Sequence, residues 1–98
     1  MIKNSMPVAE PILDFAIQEV AAPGWKVIVY NNSTNTYEEV ITILMIATGC
    51  SAEDAYIEAW EIDHYGQCCV HRADESECGA VAEIIATIGI KVEAIPES

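Results

Sequence analysis

The stretch from Gly24 to Val40 places the tightest limits on how this chain can fold. It joins a run of β-branched and aromatic residues, Trp25 to Tyr30, to six polar, uncharged residues, Asn31, Asn32, Ser33, Thr34, Asn35 and Thr36. Apolar residues at helical spacing begin straight afterwards, at Tyr37. The first run needs burial on at least one face and predicts a strand over Trp25–Asn31. The polar segment can satisfy itself as a turn. Held between two rigid elements, it also has the makings of a recognition surface.

The remaining elements follow from caps and periodicity. Asn35 or Thr36 stands as N-cap, with Glu38 or Glu39 three residues on. Val40, Ile43, Leu44 and Ala47 then form one apolar stripe, closed by Gly49. Ser51 caps a second helix with Glu53 and Asp54 in its first turn, where the helix dipole favours acids. Its inward face reads Ala52, Ala55, Ala59 and Ile62, and Gly66 stops it. Gln67–Ala73 reads as a second strand. Asp74 and Glu77 open a third helix with the stripe Cys78, Val81, Ile84, Ile85 and Ile88, closed by Gly89. Ile90–Ile95 forms a third strand with Ile90, Val92 and Ala94 on one face, and Pro96 ends it. The order β-α-α-β-α-β predicts an α+β fold, a three-stranded antiparallel sheet with three helices packed on one face.

Residues 1–23 are interrupted by Pro7, Pro11 and Pro23 around one short amphipathic segment, Ile12 to Val20. A flexible N-terminal extension is expected there, followed by one folded domain over 24–98. With 98 residues, 52% of them hydrophobic, the chain has material for a single small core.

Four Lys and Arg against sixteen Asp and Glu give a net charge of -12. That excludes nucleic-acid binding through phosphates and disfavours an anionic membrane surface. The same field attracts cations, basic peptides or a free amino terminus. No apolar run is long enough to span a bilayer and no signal-peptide pattern is present, so a cytoplasmic chain is expected. In that compartment Cys50, Cys68, Cys69 and Cys78 are expected to be reduced. Alternation along the second strand predicts that Cys69 and His71 share a face, where His64 and Cys78 would complete a zinc site. No pair has Cys-x-x-Cys spacing, and neither metal nor cofactor is expected.

Asp63 is the anomaly in the second helix. It falls at the edge of the apolar face, where charge costs desolvation, and at the carbonyl end, which repels negative charge. Such a position favours a cationic neighbour, and an ammonium ligand would supply one. Asn31 ends the strand that packs near this helix end, and its amide both accepts and donates. His64 and His71 have no Ser or Cys partner in a loop between regular elements, and no glycine-rich phosphate loop exists. From the residues alone, the chain reads as a small acidic binding module rather than an enzyme.

Several segments together resemble the ClpS family, the adaptors that bring N-degron substrates to the Clp unfoldase-protease. They are Trp25–Asn31, the polar loop, Thr36–Val40, Ala47–Ser51 and Glu61–Gly66, within a likeness spanning about Pro23 to Ile95. The shorter, divergent ClpS-like proteins are the most similar. The resemblance implies the same β-α-α-β-α-β fold and an apolar pocket between the first two helices. In the family that pocket takes an N-terminal Leu, Phe, Tyr or Trp, whose amine is held at the rim. By position, Asn31 matches the Asn of the family's Asn-Asp-Asp loop, and Asn35 matches a Thr or His in that loop. Tyr37 matches the Met that gates the pocket, while Val40, Ala59 and Ile62 match its wall. Asp63 stands where the family has an amine-binding His.

Several positions depart from the family pattern. Asn32 and Ser33 replace two acids, Tyr37 makes the gate stiffer and more polar, and Ala59 could deepen the pocket. The resemblance implies as partners the N-terminal peptide of a substrate and the N-terminal domain of a Clp AAA+ unfoldase, which residues 1–23 would engage. The competing readings are a ClpS-like docking or regulatory module without N-degron binding, a relative of the ribosomal stalk protein's C-terminal domain, and a zinc-dependent enzyme or zinc-stabilised domain using His64, Cys69, His71 and Cys78.

Overall fold

The computed structural model describes residues 24–97. The order is β1 (Trp25–Tyr30), α1 (Tyr37–Thr48), α2 (Ala52–Tyr65), β2 (Gln67–Ala73), α3 (Glu75–Ala86) and β3 (Val92–Pro96). β1 is the central strand, antiparallel to both neighbours in the order β2-β1-β3. This is the α+β fold expected. The expectation of a flexible extension over 1–23 lies outside the described residues.

Each helix begins where the sequence supplies an acceptor for its orphan amides. Thr36 and Glu39 form a reciprocal capping box, Ser51 accepts from the Asp54 amide, and Asp74 accepts from the Glu77 amide. Gly49 and Gly66 end α1 and α2 in the left-handed region, at φ 76° and 90°. The Gly66 turn is tight enough for β2 to start at the next residue, with Gln67 opposite Tyr30.

The core lies on one side of the sheet. Val27 and Val29 of β1 meet Leu44, Ala55, Ile62, Cys78, Val81 and Ile85, all fully or almost fully buried. α2 and α3 cover the strands, and α1 rests mainly on those two helices. The other face of the sheet carries a polar network. The Tyr30 hydroxyl donates to Glu93 at 2.8 Å, the Lys91 ammonium sits over the Tyr30 ring, and Arg72 pairs with Glu97.

Four local readings are corrected. Ala52 is exposed, because the first turn of α2 projects beyond the core that Ala55, Ala59 and Ile62 reach. β3 starts at Val92 rather than Ile90, since the chain is still leaving the turn at Gly89, and Ile90 joins the buried core from that turn. Pro96 belongs to β3 instead of ending it. β3 is an edge strand that tolerates a missing donor, and the Glu97 amide continues the ladder to the Gly24 carbonyl. Finally, a bulge shifts the β1–β2 register, so that Val27 opposes His71 and Ile28 opposes Cys69. The extra residue, Val70, breaks the alternation and puts Cys69 and His71 on opposite faces.

Glu58 is a partly buried acid on α2. Its Oε1 is buried without a hydrogen-bond partner among the described residues. Burial, with Asp54 and Glu61 adding like charge, raises its pKa to about 7, while His71 opposes the shift. The folded chain therefore binds this proton more tightly than the unfolded chain. The associated stability is complete below the ordinary glutamate pKa and is lost as pH rises through about 7. Glu58→Gln is expected to match the native protein near pH 4 and to exceed it above pH 8. The expected gain is about 1–2 kcal/mol, reduced from full conversion because the carboxyl is partly solvent-screened. Urea unfolding at the two pH values checks this.

Candidate functional site

The strand-to-helix loop is built from its own amides. Asn32 Oδ1 accepts from the backbone amides of Thr34 and Asn35, an Asx turn that folds the loop back on itself. Asn32 Nδ2 donates to Asn35 Oδ1 at 2.8 Å. Asn35 Nδ2 in turn donates to the Ile88 carbonyl at 2.9 Å and to Glu39 Oε1 at 3.1 Å. The Asn35 amide is therefore engaged at both ends in tying the loop to α1 and to the turn that follows α3. Glu39 also accepts from the Thr36 amide, and these contacts hold its carboxyl below the ordinary glutamate range.

Behind this loop, between α1 and α2, lies a cavity of about 150 Å³. Val40, Ala59, Ile62 and Ile90 form its apolar wall, and Asn31, Asn32, Asn35, Thr36, Tyr37 and Asp63 form its rim. A cavity of roughly this volume in an apolar core accommodates benzene, so the space suits one large apolar side chain. The backbone amide of Asn31 donates to the Gly66 carbonyl at 2.9 Å, joining the end of β1 to the end of α2. Asn31 Nδ2 reaches the Asp63 carbonyl at 3.5 Å.

Among the described residues Asp63 carries the one negative charge on the rim. Its side chain is half-exposed, so the desolvation expected from its position beside the apolar face is slight. The Tyr37 hydroxyl donates to Asp63 Oδ2 at 2.9 Å. Partial burial, followed by this bond, raises the Tyr37 pKa above the usual tyrosine value. His64 Nδ1 lies 3.8 Å from the same oxygen but is hydrogen-bonded to the Trp60 carbonyl, with its ring stacked on Trp60.

Of the residues singled out in the sequence, Asn31, Asn32, Asn35, Tyr37, Val40, Ala59, Ile62 and Asp63 converge on this cavity. Ser33 does not; it sits exposed at the loop tip. Thr36 and Ile90 line the cavity and were missed. The sequence marks Thr36 only as a cap and Ile90 only as a strand residue.

The four proposed zinc ligands do not meet. Cys78 is buried in the core, Cys69 lies on the opposite face of the sheet, His71 bonds Glu77 at 2.6 Å, and His64 stacks on Trp60. Among the described residues no group of three or more such side chains could hold a metal. Cys68 donates to Glu61, and burial together with that carboxylate pushes its pKa up to about 12, keeping the thiol protonated.

Fold and site together define a small α+β module with an apolar pocket, an amide-lined rim and one acid at its mouth. The family model for the ATP-dependent Clp protease adaptor protein ClpS matches residues 21–91, and the chain belongs to that family. The family is one of adaptors to Clp protease, not of catalysts. Among solved structures, Agrobacterium tumefaciens ClpS2 bound to L-phenylalaninamide is similar in fold, with a TM-score of 0.73 at 16% identity. That likeness covers 76% of this chain and 98% of the other. No curated protein matches the sequence.

Because the Asn35 amide holds the loop, Asn35→Ala is expected to destabilise the fold by about 1–2 kcal/mol in urea unfolding, the worth of one or two partly exposed hydrogen bonds. Faster amide exchange at Thr34 and Asn35 is expected to accompany it.

Proposed function

We propose that this chain is a cytoplasmic adaptor that binds the N-terminal residue of substrate proteins, with a bulky hydrophobic first side chain, and delivers them to a Clp AAA+ unfoldase. The observation that carries this reading is the pairing of a cavity of about 150 Å³, apolar on its inner wall, with a half-exposed carboxylate at its mouth. Val40, Ala59, Ile62 and Ile90 enclose the side chain of a Leu, Phe, Tyr or Trp. The Asp63 carboxylate and the Asn31 amide oxygen accept from the α-ammonium. Asn32, Ser33 and Asn35 shape the loop over which the following residues leave, and Tyr37 closes the outer side. Residues 1–23 serve as the extension that the unfoldase engages.

An N-terminal amine provides charge and position together, and a charge-assisted hydrogen bond is roughly twice as strong as a neutral one. Acetylating the peptide is therefore expected to cost about 1.5–3 kcal/mol. Fluorescence anisotropy with peptides beginning Phe, Leu, Trp, Arg and Met, free and acetylated, tests the reading. Binding is expected for free Phe, Leu and Trp, with Asp63→Ala reducing it by the same amount as acetylation. If none binds at high protein concentration, the chain acts instead as a docking or regulatory module of the unfoldase.

A further inference from the structure

The hydrogen bond between Tyr37 and Asp63 joins the first residue of α1 to the last turn of α2, and both residues line the same cavity. The Tyr37 ring is also held from a second point, tilted against Tyr56 at 5.9 Å between centroids. Tyr56 and Asp63 are seven residues apart on α2 and so lie on one face, two turns from each other. Ala59, buried and small, falls between them along that face. Tyr37 thus lies along α2, with its ring against Tyr56 and its hydroxyl on Asp63.

We propose that the Tyr37–Asp63 hydrogen bond is a latch across the mouth of the pocket, and that Tyr37 thereby sets the affinity threshold that an entering ligand must clear. Ligands that bring positive charge to Asp63 open the latch, and ligands that do not are resisted. The inference rests on the amine-binding reading above and deepens it. In the free protein Asp63 already accepts a hydrogen bond from a neutral hydroxyl. An α-ammonium offers the same carboxylate a stronger, charge-assisted bond, so exchanging hydroxyl for ammonium is downhill. An acetylated terminus offers only a neutral amide N–H, and its exchange gains nothing. The latch therefore raises a threshold that apolar fit alone does not clear.

Removing the latch while keeping the ring has a consequence that an ordinary contact residue would not produce. Tyr37→Phe leaves Asp63 free, so peptides beginning with Phe or Leu are expected to bind about five- to tenfold tighter, the worth of one exposed hydrogen bond to a charged group. Their acetylated forms are expected to gain by a similar factor and to become measurable. Weaker or unchanged binding of the free peptides by Tyr37→Phe would overturn the proposal, because the hydroxyl would then be touching the ligand or idle.

A second measurement needs no ligand. The ring-carbon titration of Tyr37, followed by NMR, is expected to move towards the ordinary tyrosine value in Asp63→Ala. An identical titration in both proteins would overturn the latch even if peptides bind. If neither the native protein nor Tyr37→Phe binds any peptide, the amine-binding reading fails, and the tyrosine titration still decides whether the latch exists.

Discussion

The backbone hydrogen bond from Asn31 to Gly66 is the constraint on which the candidate site depends. It joins the last turn of α2 to the end of the central strand, so that Asp63 and Asn31 arrive side by side although 32 residues separate them. The bond requires a helix that stops abruptly, and Gly66 provides that stop by adopting φ 90°. It also requires a strand that ends without a bulky loop, which the Asx turn at Asn32 supplies. If either end loosened, the rim would lose the spacing between its amide and its carboxylate. The apolar wall depends less on this junction, because Val40, Ala59 and Ile62 are set by helix packing in the core.

Charge is distributed in the same sense. The three helices carry ten acidic residues and neither Lys nor Arg. The described cations lie elsewhere: Lys26 in β1, Arg72 paired with Glu97, and Lys91 over Tyr30. The pocket opens beside a helical surface of one sign, so the field favours an incoming ammonium before any contact forms and weakens with added salt. Among the described residues no Lys or Arg lines the pocket to neutralise Asp63.

Element order was readable because each boundary in this chain is chemically marked. Thr36, Ser51 and Asp74 act as acceptors at helix starts, and Gly49, Gly66 and Gly89 take the positive φ that ends a helix or turn. The bulge at Val70 carried no such mark, because two strands decide it together, and its consequence was to separate Cys69 from His71. Most of the cavity wall could be placed from helix faces and from the family likeness. Ile90 could not, since it enters from a turn with no periodicity to reveal it. The Tyr37–Asp63 bond was equally hidden. Each residue had a role by itself, but a hydroxyl meeting a carboxylate 26 positions away is a product of how α1 crosses α2.

On the proposed function, one pocket between α1 and α2 receives both the amine and the first side chain of a peptide. Titrating the ¹⁵N-labelled protein with a short peptide beginning with phenylalanine, and following backbone and side-chain amide shifts, tests it most directly. Saturable shifts are expected at Asn31, Asn32, Tyr37, Ala59 and Asp63, with Ile28, Cys69 and Glu93 on the opposite sheet face unmoved. Shifts centred on that opposite face, or none at saturating peptide, would contradict it.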